Sequence, residues 1–302
     1  MSLHSSAYFG DQRDFWWNRD FLELMAERWR LDDVRSVLDV GCGVGHWGRC
    51  LMPLLPSDAT ITGLDREAEW IRQAQEKSPA DEKHRWQFEV GNANALPYED
   101  DRFDMVTCQT LLIHVEHPKK VLLEMLRVTK PGGIIVAAEP NNRTVISSSL
   151  DILHNEFPLN DTLNFFRLLM TCERGKQALG MGNISAGDII PGLLAQTGAI
   201  DVQVYISDKA SAVVPPYTST EQQALVAYAL EAASNGSFMG WDRTDTERYF
   251  LAGGGIEADF KTIWEQVTNP QHASELAGAI TNKTYHTAGG ALMYLISGRK
   301  LE

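Results

Sequence analysis

Short apolar runs alternate with segments of helical periodicity along the first half of the chain, and this alternation constrains the fold most strongly. The apolar runs are SVLDV (36–40), TITGLD (60–65), WQFEV (86–90), FDMVTC (103–108) and GIIVAAE (133–139). The helical segments lie near 46–55, 67–77 and 117–129. Strands that alternate with helices pair in parallel through right-handed crossovers. The sequence therefore predicts a doubly wound α/β sheet.

The remaining segments add helices and two further strands. Helical spacing predicts an N-terminal helix over 13–30 and another over 161–174, and the run 199–207 alternates as a strand does. A helical stretch is predicted from 210 to about 290, with helices at 221–233, 242–250 and 257–279. The closing ALMYLISGRK predicts a strand antiparallel to the one before it.

We therefore divide the chain into three parts. These are an N-terminal helical segment (1–35), a core (36–207 with 291–302, carrying an insert at 141–184) and a helical insertion (208–290).

Composition excludes several classes of protein. The net charge is −13, with no basic run, which disfavours a nucleic-acid surface and an anionic membrane surface. No apolar run approaches the roughly 20 residues that span a bilayer. The four cysteines form no C-x-x-C pair, and no His cluster has metal-ligand spacing. The N-terminus lacks the pattern of a secretory signal. We expect a cytoplasmic protein without a metal or membrane insertion, either a monomer or a homodimer.

The stretch VLDVGCGVGHWGR (37–49) is the main functional signal. Asp39 ends the first predicted strand, and Gly41, Gly43 and Gly45 follow before the next helix. Glycine lets the backbone turn sharply and lets a ligand approach closely. A helix N-terminus then offers N–H groups to a polar or anionic group. We therefore expect these four residues to bind a cofactor, although Asp39 alternatively caps the next helix.

Two ligand classes use such a loop. In one register GVGHWG (43–48) satisfies the dinucleotide pattern G-x-G-x-x-G, which indicates a nicotinamide or flavin enzyme. Asp65, at the end of the second strand, is placed to bind a ribose diol. It would serve any adenosine-containing ligand, so Asp65 does not separate the two classes.

The later motifs separate them. VLDVGCGVG, GLD (63–65), GNANALPYEDDRFDMVTCQTLLIHV (91–115) and KPGGIIVAAEP (130–140) occur in that order. Together they resemble the class I S-adenosylmethionine-dependent methyltransferases, particularly the small-molecule subgroup related to the ubiquinone and menaquinone C-methyltransferases. The resemblance covers about 36–207 and the final strand. It implies a Rossmann-like, seven-stranded sheet with an antiparallel last strand.

The resemblance also implies roles for the residues of the first two motifs. The backbone at Gly41 and Gly43 would face the amino acid end of S-adenosylmethionine, and Asp39 would support that loop or contact the ligand. Asp65 would accept both ribose hydroxyls, because one carboxylate has two acceptor oxygens. Arg66 would border the adenine.

Further cofactor contacts follow from the third motif. Asn92 and Ala93 would read the adenine edge, although Asn92 stands where the family usually has Asp and is alternatively only a turn residue. Gln109 would lie under the methionine portion. In the N-terminal segment, Tyr8 or Arg13 would reach the methionine carboxylate if 1–35 closes the site as a lid. Alternatively this segment packs as plain core.

His114, in LLIHVEHP, is the candidate for acid–base chemistry. It follows the fourth strand, on the sheet edge where ligands bind in open α/β folds. Methyl transfer needs a base only when the acceptor starts out protonated. His114 is therefore a base, a pocket wall or a structural residue, and His117 is expected to open the next helix.

The resemblance implies transfer of a methyl group to a small organic acceptor, with S-adenosylhomocysteine as product. The inserts at 141–184 and 208–290 are expected to select the acceptor, the latter as a substrate cap. Two alternatives stay open at this point, a macromolecular (RNA or protein) methyltransferase and a non-catalytic protein that binds S-adenosylmethionine.

Overall fold

The computed structural model describes residues 11–78, 85–144, 159–290 and 292–302, without the side chains of residues 11 and 12. These residues belong to two compact units. The first, which we call the sheet unit, contains Trp17–Asn141, Ile184–Asp208 and Met293–Glu302. The second, the helical unit, contains the described residues of Met1–Trp16, Asn142–Asn183 and Lys209–Leu292.

A seven-stranded sheet forms the centre of the sheet unit. The strands of the chain are β1 (Ser36–Val40), β2 (Thr60–Asp65), β3 (Trp86–Val90), β4 (Phe103–Gln109), β5 (Thr129–Asn141), β6 (Ile200–Ile206), β7 (Ser211–Val213), β8 (Thr287–Gly289) and β9 (Leu292–Arg299). The large sheet has the order β3-β2-β1-β4-β5-β9-β6. Strands β1 to β5 pair in parallel, and β9 pairs antiparallel to β6. This confirms the predicted fold class, including the antiparallel last strand.

The order of the strands explains their sequences. The middle strands β1 and β4 and the second part of β5, from Ile134 onward, are buried almost throughout, and they are continuously apolar runs. Parallel strands covered on both faces need such runs. The edge strand β6 is mostly exposed despite its alternating sequence, because its apolar residues Ile200, Val204 and Ile206 are exposed as well.

Ten α-helices are present in the described residues. They are α1 (Arg19–Trp29), α2 (His46–Leu51), α3 (Ala68–Lys77), α4 (Pro118–Val128), α5 (Leu159–Ala178), α6 (Ile190–Ala195), α7 (Thr220–Ser234), α8 (Arg243–Ala252), α9 (Glu257–Val267) and α10 (Pro270–Thr281). None of them is long and apolar enough to cross a membrane.

Two predicted helices of the first half are shorter than expected. The N-terminal helix is interrupted, because a 3₁₀ helix spans Asp11–Phe15 and α1 begins only after the extended Asn18. Helix α2 ends at Leu51 and continues as a 3₁₀ turn that contains Pro53. Proline lacks the N–H that a longer α-helix would need.

The region predicted as helical from 210 to 290 differs in two respects. Strands β7 and β8 form a separate two-stranded sheet there. The predicted helix 257–279 is two helices, α9 and α10, because Pro270 begins a new helix whose cap, Asn269, accepts a hydrogen bond from the backbone N–H of Gln271. The helical spacing of apolar residues continues through Pro270, so the sequence pattern did not reveal the break between α9 and α10.

Helices α5 and α8 approach closely within the helical unit. A Cβ atom on Gly175 would collide with the Tyr249 carbonyl, and one on Gly253 with the Thr171 carbonyl. Lys176 is buried beside them, with its ammonium 5.0 Å from the ring centroid of Trp241 and 4.9 Å from that of Tyr249. Burial lowers the pKa of Lys176 to about 8. Aromatic faces stabilise such a cation.

Candidate functional site

Polar side chains lie at the carboxyl ends of four neighbouring strands in the sheet unit. They are Asp39 on β1, Asp65 on β2, Gln109 on β4 and Glu139 on β5. Ligands of open α/β sheets bind at this edge. The side chains of three of them, Asp39, Gln109 and Glu139, are 3% exposed or less, so the edge is built from buried acceptor groups.

The glycine loop turns sharply between β1 and α2. Gly41, Gly43 and Gly45 have φ values of 69°, 53° and 78°, a region that side chains rarely adopt. The predicted glycine positions are therefore required by the backbone itself.

Four N–H groups of this loop donate hydrogen bonds within the chain. Gly41 and Cys42 donate to the Leu64 carbonyl (2.7 and 3.0 Å), and Gly45 donates to the Cys42 carbonyl (2.9 Å). Gly43 donates to the Asp65 carboxylate. Helix α2 follows with only six residues. The N–H groups of Gly41, Cys42, Gly43 and Gly45 are therefore occupied by acceptors of the chain itself.

Asp65 connects the glycine loop to the end of β2. Its Oδ2 accepts from the Gly43 N–H at 2.9 Å, and its Oδ1 accepts from the Glu67 N–H at 3.0 Å. Burial raises the pKa of this carboxyl, and the two N–H bonds oppose that shift. Each oxygen of a carboxylate has capacity for a second donor, so Asp65 suits a diol.

Asp39 lies behind the loop and is 1% exposed. A Cβ on Gly48 would make an ordinary contact with its Oδ2 at 3.5 Å but would lie only 2.9 Å from the Trp86 ring, so it is Trp86 that requires a glycine there. Burial, and then the charges of Asp39 and Asp65, raise the pKa of the Cys42 thiol well above its usual value. A protonated, buried thiol is unreactive.

Gln109 connects β4 to the glycine loop. Its Oε1 lies 3.3 Å from Nδ1 of His46, the first residue of α2. On the same helix, the Trp47 indole N–H donates to the Thr107 hydroxyl at 2.8 Å, and Trp17 packs on Trp47 with ring centroids 5.2 Å apart. These contacts fix α2 against β4.

The predicted adenine-side residues lie in turns after β2 and β3. Asn92 is exposed, and its Oδ1 accepts from the backbone N–H of Asn94 at 2.9 Å. This bond gives Asn92 a role in its own turn. Ala93 packs against the core, and the exposed side chain of Arg66 pairs with Glu67 at 3.1 Å.

His114 ends a 3₁₀ turn, Leu112–His114, directly after β4, and it is half-buried. Its backbone N–H donates to the Leu111 carbonyl at 2.9 Å. His117 immediately precedes α4, which begins at Pro118, as the sequence predicts.

Of the two cofactor-binding residues predicted in the N-terminal segment, the structure describes only Arg13. Tyr8 lies outside the described residues. Arg13 is in the helical unit, 8% exposed, with its guanidinium 4.9 Å from the Trp16 ring centroid.

Sequence reasoning missed two residues of this edge, His46 and Glu139. Glu139 is fully buried, and its Oε1 accepts from the backbone N–H groups of Leu111 (3.0 Å) and Leu112 (2.8 Å). Burial raises its pKa to about 7. An acid that ends an apolar strand is the pattern that identified Asp39 and Asp65, so the same signal was available for Glu139.

The chemistry of the edge favours one kind of cofactor. S-adenosylmethionine carries a sulfonium, an ammonium and a ribose diol. The first two are cations, the last two donate hydrogen bonds, and acceptor oxygens can therefore bind all three. The strand ends supply carboxylates and a carboxamide, whereas the N–H groups of the glycine loop bond within the chain. The residues therefore fit this cofactor better than a dianionic pyrophosphate. Among the described residues, no group of three or more metal-ligating side chains occurs.

Comparison with known proteins agrees with this chemistry. The model of a family described as a methyltransferase domain matches residues 31–197, which is more than half of the chain. The chain belongs to this methyltransferase family, and the matched region is a class I domain of the S-adenosylmethionine-dependent type.

Among curated relatives, a demethylmenaquinone methyltransferase of Shouchella clausii (strain KSM-K16) is 37% identical over 125 residues, covering 39% of this chain and 53% of the relative. The enzyme of the same name from Oceanobacillus iheyensis is 33% identical over 145 residues, covering 48% and 58%. The chain thus spans about half the length of the curated relatives it matches.

A solved structure shares the fold. It is a Bacillus halodurans C-125 protein, itself provisionally assigned as a methyltransferase, with a TM-score of 0.51 and 16% identity. The match covers 94% of this chain and 100% of that one.

Proposed function

We propose that this protein is an S-adenosylmethionine-dependent methyltransferase that transfers a methyl group to a small organic acceptor. The observation that carries the proposal is the position of Asp65, half-buried at the end of β2 and bonded to the glycine loop through the Gly43 N–H. This arrangement presents a carboxylate to a ribose diol and, at the same time, holds the glycine turn in place.

The residues of the sheet unit would share the binding of the cofactor. Asp65 would accept the ribose hydroxyls, and the backbone at Gly41, Gly43 and Gly45 would follow the amino acid end. Asp39 and Gln109 would support that loop. From the resemblance, Arg66, Asn92 and Ala93 would contact the adenine, and Tyr8 or Arg13 would reach the methionine carboxylate.

The cofactor supplies an electrophilic methyl group on a good, neutral leaving group. The chain therefore contributes mainly by aligning the two reactants and by excluding water from them. His114 adds a half-buried imidazole at the end of the 3₁₀ turn that follows β4. We propose that it either accepts a proton from the acceptor or forms a wall of the pocket.

The variant His114→Ala separates these two roles once an acceptor is found. As a base, His114 would govern the pH profile of turnover, while affinity for the product S-adenosylhomocysteine stays near the wild-type value. Equal turnover of variant and wild type over the whole pH range would remove the role as base.

A small acceptor agrees with the names of the curated relatives and with the acidic composition of the chain. The insert regions 141–184 and 208–290 would select it. We further propose a cytoplasmic location, which the four free cysteines support, and a monomeric or homodimeric state.

Calorimetric titration with S-adenosylhomocysteine tests the proposal. One-to-one binding with a micromolar Kd is expected. Absence of binding by the folded protein, together with binding of a nicotinamide dinucleotide, would replace the proposal with an oxidoreductase.

A further inference from the structure

Glu139 binds a loop of its own chain with one carboxylate oxygen. The backbone N–H groups of Leu111 and Leu112 both donate to Oε1, at 3.0 and 2.8 Å, and the Cys108 thiol lies 3.7 Å from the same atom. Glu139 is 0% exposed, and none of the described residues forms a hydrogen bond with Oε2. Burial of a carboxylate is unfavourable in free energy, so we expect this arrangement to have a role that compensates for it.

The loop that Glu139 binds leaves β4 through a strained residue. Thr110 has φ 52°, a left-handed conformation that is unfavourable for a non-glycine residue. Its N–H donates to the Ala138 carbonyl at 2.9 Å. This turn directs the next two N–H groups toward Glu139. The three hydrogen bonds to β5 therefore hold the strained conformation.

The same loop touches the glycine loop and carries the candidate base. A Cβ on Gly41 would lie 2.7 Å from Cδ1 of Leu111, so the Leu111 side chain packs directly on that glycine. Gln109, at the start of the loop, lies against His46 of α2. His114 ends the 3₁₀ turn that begins at Leu112. The position of the loop thus determines both the wall of the cofactor site and the place of His114.

We propose that Glu139 is a positioning residue, whose carboxylate holds the loop 110–114 in the conformation that the cofactor site and His114 require. The expected effect on cofactor binding rests on the proposed function, whereas the contact between Glu139 and the loop does not depend on that function. Glu139 itself acts through the loop and takes no part in the chemistry.

The ionisation of Glu139 makes this role measurable. A carboxylate accepts stronger hydrogen bonds from backbone N–H groups than a neutral acid does. Because burial raises the pKa of Glu139 to about 7, the loop is held less firmly as the pH falls below 7. The elements packed against β5 carry other titratable or charged groups, which are Asp104, Cys108, His114, Lys119, Lys120, Glu124, Arg127, Asp188, Tyr294 and Arg299. They are unchanged in a Glu139 variant, as are Asp39 and Asp65.

The test compares Glu139→Gln with wild type, and with Glu116→Gln as a matched control. Glutamine keeps an acceptor oxygen of similar size but cannot ionise, and the side chain of Glu116 is 63% exposed after the same loop. The first measurement is amide hydrogen exchange at Leu111 and Leu112 at pH 8. The second is the Kd for S-adenosylhomocysteine between pH 5.5 and 8.5.

We expect faster exchange at both amides in Glu139→Gln, and unchanged exchange in Glu116→Gln. The wild-type Kd should weaken several-fold as the pH falls through about 7. In Glu139→Gln that part of the pH dependence should be missing, with a weaker Kd at pH 8 and a Kd near wild type at pH 5.5. A merely structural role would shift the whole profile without changing its shape.

Two outcomes overturn the proposal. One is unchanged exchange at Leu111 and Leu112 in Glu139→Gln. The other is a pH profile of binding that is parallel to that of wild type. If wild type itself binds no S-adenosylhomocysteine, the proposed function fails, and the exchange measurement alone decides the role of Glu139.

Discussion

Asp65 and Glu139 are the same chemical group in equivalent places, yet they face different partners. Each ends a parallel strand and accepts hydrogen bonds from backbone N–H groups of a loop. Asp65 is half-buried and uses one oxygen for each N–H, whereas Glu139 is fully buried and uses one oxygen for both. Asp65 therefore retains capacity for a ligand, and Glu139 is directed to its own chain.

The proposed roles, cofactor binding for Asp65 and loop positioning for Glu139, follow the difference in burial between the two carboxylates. Asp65 lies on β2, followed by an open turn, whereas β5 is enclosed between β4 and β9 and is covered by the turn Ala186–Asp188. The local sequence pattern is alike at both sites. Their distance from solvent, set by the strand order, is the basis on which the two roles are proposed.

Asp65→Ala is expected to have the largest effect on cofactor affinity. The change removes a charged acceptor of about 1.5–3 kcal/mol, which corresponds to about 10- to 150-fold in the Kd for S-adenosylhomocysteine. The Kd of Asp65→Asn, which keeps one acceptor oxygen, should lie between the Kd of wild type and that of Asp65→Ala. Calorimetry measures both, with the exposed Asp58→Ala as control. An unchanged Kd in Asp65→Ala would end its assignment to the ribose.

Glu139→Gln should change the pH dependence of stability. The pKa of Glu139 rises from its ordinary 4.5 to about 7 on folding, so the folded state binds the proton more tightly. Its contribution to the free energy of unfolding is present below about pH 4.5 and is lost as the pH rises to about 7. The loss is about 3 kcal/mol.

The variant lacks this loss, so its unfolding free energy relative to wild type should increase between pH 4.5 and 8. Urea unfolding at a series of pH values measures the difference. A difference that stays constant with pH would show that Glu139 does not titrate in this range.

Gly41→Ala tests the contact between the glycine loop and the loop that Glu139 holds. The new Cβ meets Leu111, which Glu139 holds, and Gly41 has a φ of 69°, so we expect a loss of about 1–2 kcal/mol. The control is Gly278→Ala in α10, where no atom lies within 4 Å. There alanine should stabilise by about 0.5–1 kcal/mol. Thermal unfolding that moves both variants in the same direction would contradict this interpretation.

Asn92→Ala should have the smallest effect. Its Oδ1 is bonded to the Asn94 N–H in an exposed turn, so we expect a change within about 0.5 kcal/mol, or roughly twofold in Kd. Calorimetry under the conditions used for Asp65→Ala checks this. A loss comparable to that of Asp65→Asn would instead establish Asn92 as an adenine contact.

The sequence by itself determined the parallel sheet, the glycine turn and the acids at strand ends. These are local features, because burial on both faces dictates apolar runs and positive φ dictates glycine. Asp65 was identifiable for the same reason, since a carboxylate at that position has few structural uses.

Only the tertiary structure decided which groups meet. The N–H of Leu111 reaches Glu139 from 28 residues away, and His46 reaches Gln109 from 63 residues away, so no local pattern records either contact. The break at Pro270 and the pairing of β7 with β8 were also hidden, the first by uninterrupted periodicity and the second by distance along the chain. Burial finally distinguishes Asp65 from Glu139, because exposure depends on which strands and turns surround a residue.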